Sequence, residues 1–184
     1  MATPGAFGLR FCLQGEPLPH PHEKLRPAPD AVGRLLACAE VLGPRLGPIL
    51  FQLPPRWRAN PARLGEFLDA LPKGHRYAFE LRDESWWCDA VYEILAGHDV
   101  ATVWFDMEKR RSPLVDTASF RYVRWHGPGA AAYTGRYGGN RLQPLARQAR
   151  EWHANGQDVC IYFDNDADGH APADALALQD MLDD

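Results

Sequence analysis

No apolar run in the sequence approaches the roughly 20 residues that a bilayer-crossing helix needs. Its start, MATPGAFGLRF, lacks the basic segment and long apolar stretch of a secretory signal. A cytoplasmic protein with no membrane partner is the default expectation. There are only four cysteines, Cys12, Cys38, Cys88 and Cys160, widely and irregularly spaced with no CxxC pair. That argues against a zinc site and against a disulfide framework, and for reduced, structural thiols. Positive charge is not in excess either. A formal net charge of -4 speaks against a general nucleic-acid surface and leaves room only for a local basic pocket. Repeats and low-complexity segments are lacking, although residues 17–30 form a proline-rich connection. What is present is ordinary for a soluble globular chain: 184 residues, 46% hydrophobic and 24% charged, enough to bury a core as one domain over 1–184.

Six runs read as strands: GLRFCLQ (8–14), GPILFQL (47–53), RYAFEL (76–81), VATVWFD (100–106), FRYVRWH (120–126) and VCIYFD (159–164). Helical patterns lie between them. Asp30 suits the cap of a helix through AVGRLLACAEVLG, with Gly43 as its stop. Asn60 suits the cap of a helix with Pro61 at its first position, continuing through ARLGEFLDAL. DAVYEILAG, LQPLARQAREWHANG and ADALALQDML follow, while residues 107–119 read as an irregular link.

Strands alternating with helices predict a parallel sheet of βαβ units. Side-chain parity then separates an open sheet from a barrel. One face is apolar in every run: Leu9, Phe11, Leu13; Ile49, Phe51, Leu53; Tyr77, Phe79, Leu81; Ala101, Val103, Phe105; Val123, Trp125; Val159, Ile161, Phe163. The opposite parity gathers Gln52, Glu80, Arg82, Thr102, Trp104, Asp106, Tyr122, Arg124, His126, Cys160, Tyr162 and Asp164, with the polar groups toward the strand C-termini. A doubly wound sheet would be apolar on both faces. An α/β barrel of the TIM type, polar inside at its top, fits better, because that is where such barrels place their sites.

LGPILFQLPPRW, YAFELRDESWW, FRYVRWHGP with the later YTGRYG, and VCIYFDNDADGHAPADAL, in that order, resemble the YecE-like family, domain of unknown function 72. The resemblance covers roughly residues 46 to 183 and rests on these stretches together. It implies a TIM-type barrel and no particular activity, since the fold hosts many chemistries. Members of the family begin with two further βα units. Against that pattern the chain enters at the third strand, so the expectation is an N-terminally incomplete barrel of six parallel strands where closure takes about eight. An open parallel edge is then expected to self-associate. Gln14 stands where the family tends to have Lys, and Asp164 where it more often has Asn; His20 and His22 align loosely with its Thr-His pair.

Glu80, His126 and Asp106 are the candidate catalytic groups. A carboxylate beside a guanidinium has a lowered pKa, which favours ion pairing or base chemistry for Glu80 over acid chemistry. Gln52, Arg82, Trp86, Arg124, Tyr133, Arg136, Tyr137, Asp164 and Asn165 are the candidate ligand-binding residues. Arg124 and Arg136 suit an anion, Trp86 a stacking face, and the Gly-rich YTGRYGG segment an anion-binding turn. No cofactor is expected, with a divalent metal as the alternative: HExxH is missing, His20-Pro21-His22 lies in the proline-rich connection, and DNDADG has Ala175 where a calcium loop needs its twelfth-position Glu. These residues point to a small anionic or phosphate-bearing ligand, bound and hydrolysed by a phosphoesterase- or lyase-type enzyme. The alternatives are a non-catalytic ligand-binding module and a glycosidase-like hydrolase with paired carboxylates.

Overall fold

The computed structural model describes the backbone of Phe11–Gln14, residue 25, residues 32–33 and 36–37, and residues 41–107 and 110–183. The strands are β1 (Phe11–Gln14), β2 (Leu46–Leu53), β3 (Tyr77–Leu81), β4 (Ala101–Met107), β5 (Arg110–Arg111), β6 (Phe120–Trp125) and β7 (Asp158–Phe163). The helices whose whole length is described are α1 (Pro61–Asp69), α2 (Asp89–Gly97), α3 (Gly139–Ala154) and α4 (His170–Asp183); the described residues 32–33, 36–37 and 41–42 are helical as well. Six strands run parallel in the order β1-β2-β3-β4-β6-β7, and the two-residue β5 pairs antiparallel with β4. The sheet curls into a half-barrel with flanking helices, a partial α/β barrel of the TIM type. Asp30, His20 and His22 lie outside the described residues.

Local sequence explains most of these boundaries. Asn60 accepts a hydrogen bond from the backbone N–H of Arg63 (3.0 Å), and Pro61 occupies the first turn of α1, where a missing N–H costs nothing. Asn60→Ala is therefore expected to lower stability by about 1 kcal/mol in urea unfolding without changing the denaturant slope. A loss within measurement error would show that water replaces this cap. His98 ends α2 and is not merely solvated: its Nδ1 lies 2.8 Å from the Ile94 carbonyl and its Nε2 3.0 Å from Asp69.

Residues 110–119, read from sequence as irregular, replace a crossover helix. Ser112 Oγ accepts from Phe105 N–H (2.9 Å) and donates to Val103 O (3.1 Å). Thr102 Oγ1 donates to Val115 O and Thr117 Oγ1 to Val100 O. Hydroxyls thus satisfy backbone groups that a helix would leave to neighbouring strands.

The core divides by face. Ile49, Phe51, Leu53, Tyr77, Phe79 and Leu81 pack beneath Leu64, Phe67 and Leu68 of α1 and Val91 and Leu95 of α2. Val123 and Trp125 pack beneath α3 and α4. Leu50, Ala78, Ala101, Val103, Phe105, Phe120 and Tyr122 fill the concave side.

The last group corrects the reading of β4. Ala78 pairs with Ala101, and Phe105 with Arg124, so Ala101, Val103 and Phe105 share the concave face with Glu80 and Arg124. Thr102, Trp104 and Asp106 face the helices. Trp104 packs edge-on to Trp125 and Trp152, at 6.3 and 5.9 Å between ring centroids. Both faces of β4 are covered, so its polar Thr102 and Asp106 do not mark the face that looks inward. Among the described residues, no helix is long and apolar enough to cross a membrane.

Candidate functional site

Parallel pairing sets concave residues in two neighbouring pairs on either side of β4: Gln52 of β2 beside Glu80 of β3, and Arg124 of β6 beside Tyr162 of β7. Backbone bonds extend the pattern past the strands, from His126 N–H to Asp106 O (2.7 Å) and from Asp164 N–H to Trp125 O (2.8 Å). Gln52, Glu80, Arg82, Arg124, His126 and Asp164 therefore meet at the C-terminal ends of the strands.

Glu80 is the hub. Arg82 Nε donates to its Oε1 at 2.6 Å, and Arg124 Nη1 to its Oε2 at 2.5 Å. Arg124 Nη1 also donates to Gln52 Oε1 (3.3 Å), while its Nη2 pairs with Asp164 Oδ2 at 2.9 Å. His126 lies between the two carboxylates, with Nε2 3.4 Å from Glu80 Oε1 and Nδ1 3.3 Å from Asp164 Oδ2. The Glu80 and His126 side chains are fully buried, those of Arg124 and Arg82 are 9% and 11% exposed, and that of Asp164 is 25% exposed. Arg124 is thus matched by two carboxylates.

Burial pushes the Glu80 carboxyl up, but the His126 ring beside it and the charges of Arg124 and Arg82 outweigh it and hold it at about 2. Burial works against the Arg82 and Arg124 cations; Glu80 overrides it for both, helped at Arg82 by Tyr133 and at Arg124 by Asp164.

Tyr133 closes the cluster from above. Its ring stands edge-on to His126 at 5.5 Å, and it is 41% exposed. It takes a positive φ of 66°, imposed by a tight loop: Tyr133 N–H donates to His126 O (2.6 Å) and Gly129 N–H to Thr134 O (2.9 Å). Gly127 makes this possible with φ 105°, where any Cβ would collide with the Thr134 backbone.

The other expected site residues lie elsewhere. Asp106, on the helix-facing side, accepts from Arg111 Nε (2.6 Å) and from the Tyr137 hydroxyl (3.2 Å). Tyr137 is buried against Trp125, its hydroxyl accepting from Gly127 N–H. Arg136 is 60% exposed and faces Asp174 at 3.6 Å. Asn165 is buried and donates to Gly135 O and Asp174. Trp86, expected as a stacking surface, is wholly buried, donates to Trp57 O at 2.6 Å and packs on the Trp57 ring. Its position in the sequence, just after a site strand, does not distinguish rim from core.

Asp174 escaped the sequence reading. It is fully buried on α4 and shares a face with Ala171 and Leu178. A carboxylate at i+3 and i−4 from buried apolar residues is the signal that would have found it. Among the described residues, no group of three or more His, Cys, Asp or Glu is arranged to hold a metal ion. Two cavities lie away from the cluster. One is walled by Phe79, Trp87, Tyr92 and Ser112, and the other is an open groove beside Gln143, Arg147, Arg150 and Met181.

A family model described as a protein of unknown function, DUF72, matches residues 2–184. The chain belongs to the DUF72 family. The match runs beyond the 46–183 stretch that carries the resemblance in sequence. Among solved structures, a DUF72 protein from Thermotoga maritima MSB8 superimposes with a TM-score of 0.80 at 22% identity, covering 95% of this chain and 74% of that one. A DUF72 protein from Enterococcus faecalis V583 gives 0.74 at 18% identity, over 85% and 66% of the two chains. A second structure from that organism gives 0.68 at 19% identity, over 89% and 70%. The chain therefore spans between two thirds and three quarters of the length of these DUF72 structures, and the likeness speaks for the fold alone. No curated protein matches the chain.

Proposed function

We propose that this DUF72 protein binds a small anionic ligand, a phosphate- or carboxylate-bearing molecule, at the strand C-termini, and that His126 supports its hydrolysis. One observation carries the reading. Two nearly buried guanidiniums share one fully buried carboxylate, and the second negative charge, Asp164, is the more exposed group at the mouth. Inward of Asp164 there are two cations for one anion. A phosphate or carboxylate entering the mouth competes with Asp164 for Arg124, where charge-assisted hydrogen bonds are strong and geometrically selective.

Glu80, held ionised across the neutral range, orients Arg82, Arg124 and His126 and supplies no proton. His126, flanked by two carboxylates, is the group suited to proton transfer. In ester hydrolysis it would take a proton from the attacking water as the new bond to phosphorus or carbon forms. It would return that proton to the departing alkoxide oxygen. The glycosidase-like alternative is weaker, because it needs a carboxylic acid held protonated. Glu80 is the opposite, and Asp106 faces away.

Sulfate or phosphate should raise the melting temperature of the purified protein above that in chloride of equal ionic strength. Asp164→Asn should tighten apparent anion affinity by about tenfold, equivalent to about 1.4 kcal/mol, and Arg124→Gln should remove the response. Anion responses equal to chloride in both the parent and Asp164→Asn would sink the reading. Release of p-nitrophenol from its phosphate ester, lost in His126→Ala, separates an enzyme from a binding module.

A further inference from the structure

We infer that Asp174 is a positioning residue for this site: a buried carboxylate on α4 that sets the loop carrying Tyr133, and through it the cover over His126. Asp174 touches none of Glu80, Arg82, Arg124, His126 and Asp164; its ion pair, to Arg136 at 3.6 Å, lies in the same loop as Tyr133. Its Oδ2 accepts from Tyr137 N–H at 2.9 Å and from Asn165 Nδ2 at 2.7 Å. Asn165 Nδ2 also donates to Gly135 O at 2.8 Å. One carboxylate oxygen thus ties the loop after β6 to the loop after β7, and both to the helix that follows.

What is tied is the segment that needs tying. Between His126 and Tyr137 the chain has three residues at positive φ: Gly127 at 105°, Tyr133 at 66° and Gly135 at 81°. Tyr133 pays the steric cost that glycine avoids, and such a conformation persists only when its surroundings hold it. Its backbone is held on both sides, donating to His126 O and accepting from Ala167 N–H at 3.2 Å. Glycines packed against Thr134 leave the turn little room: a Cβ on Gly135 would meet Gly129 N at 3.1 Å, and one on Gly129 would collide with the Thr134 side chain. The far end of the segment, Tyr137, is fixed by Asp174 at its N–H and by Asp106 at its hydroxyl.

Without Asp174, Tyr137 N–H and Asn165 Nδ2 lose a buried acceptor, and Gly135 O depends on an Asn165 that has lost its own anchor. The turn then relaxes toward ordinary φ values. Tyr133 moves off the His126 ring. The site would keep its ion pairs and lose its cover. A purely structural Asp174 would instead lower global stability and leave the folded loop as ordered as before.

Two readouts test this on the full chain. The first is hydrogen–deuterium exchange at the Gly129 and Tyr133 amides, measured where each variant stays folded, with β2 and β3 amides as the internal reference. Asp174→Ala should speed loop exchange by about tenfold or more with the reference unchanged, and Asp174→Asn, which keeps an acceptor oxygen, should restore most of the protection. If Asp174→Ala does not fold, Asn165→Ala, which loosens the same tie from the other side, takes its place with the same expectation. Loop protection equal to the parent in a folded variant overturns the inference. The second readout is sulfate affinity, expected to weaken about tenfold in Asp174→Ala and to recover in Asp174→Asn. This second arm rests on the anion-binding reading, and the exchange arm does not. A loosened loop in a protein whose parent ignores sulfate supports the clamp and removes the ligand. A loosened loop with unaltered sulfate affinity refutes the positioning role.

Discussion

Glu80→Gln is expected to destabilise the protein by about 3–5 kcal/mol, the range for removing one partner from a buried ion pair. The substitution keeps the shape of the side chain and deletes its charge. Arg82 and Arg124, 11% and 9% exposed, then lie beside one remaining carboxylate, the partly exposed Asp164. Two guanidiniums with little access to water cannot recover their lost hydration, so most of the penalty stands. The pH dependence follows with a definite sign. Glu80 is lowered from an ordinary 4.5 to about 2, so the folded state binds fewer protons than the unfolded chain between those values. Its contribution, about 3 kcal/mol, is complete above pH 4.5 and is lost as pH falls through 2. Urea unfolding of parent and variant at pH 7 and pH 3 tests both parts. The gap between them should narrow at the lower pH. A gap that is small at pH 7, or independent of pH, would mean that water reaches the guanidiniums and that Glu80 is not their hub.

The same residue shows how far the sequence could be read. In YAFELRDESWW, a carboxylate on the face opposite Tyr77, Phe79 and Leu81 could only point away from the helices, and the parallel register places Glu80 beside Gln52 as parity required. Arg124, His126 and Asp164 obeyed the same rule, because in β6 and β7 the helix-facing parity is plainly apolar: Val123, Trp125, Ile161, Phe163. The rule failed in β4. In VATVWFD the polar residues Thr102 and Asp106 lie on the parity that faces the helices, so polarity pointed to the wrong face; the partner strands decide it, and they are remote in sequence. The strand β5 was illegible for a different reason. Two residues, Arg110–Arg111, have no period, and they are held by what they meet, an Asp106 carboxylate and the end of β4.

The candidate site was legible in its charges and illegible in its balance. Residue types on neighbouring strand ends show that Glu80, Arg82, Arg124 and Asp164 share a region. They do not show that Arg124 reaches both carboxylates, which depends on guanidinium orientation across a sheet. Likewise, the glycines of HGPG and YTGRYGG announce a turn, but the hold of Asp174 on that turn spans 37 residues, from Tyr137 to a helix read only as apolar packing. Long-range polar ties are what pattern reading misses, because a local pattern can flag one partner without saying which remote group it meets.

Trp86→Ala is the second change expected to have a large effect, about 3–5 kcal/mol of lost stability. Trp86 has no exposed surface and packs edge-on to Trp57, with 5.2 Å between ring centroids. Its indole N–H donates to Trp57 O at 2.6 Å, and Ser85 beside it accepts from Ala59 N–H at 2.8 Å. These contacts fasten the turn Glu84–Trp86, capped by Asp83, onto the loop after β2. The turn follows Arg82 directly, so Trp86 acts on the site only by holding its neighbour in place. Trp86→Phe separates packing from contact with a ligand. It retains an aromatic filler and gives up the hydrogen bond, so it should cost about 1–3 kcal/mol, the range for removing one partner of a hydrogen bond. If the indole serves the core alone, the folded Phe variant should respond to sulfate or phosphate as the parent does. A variant with near-parental unfolding in urea but no anion response would return Trp86 to the ligand's side of the wall.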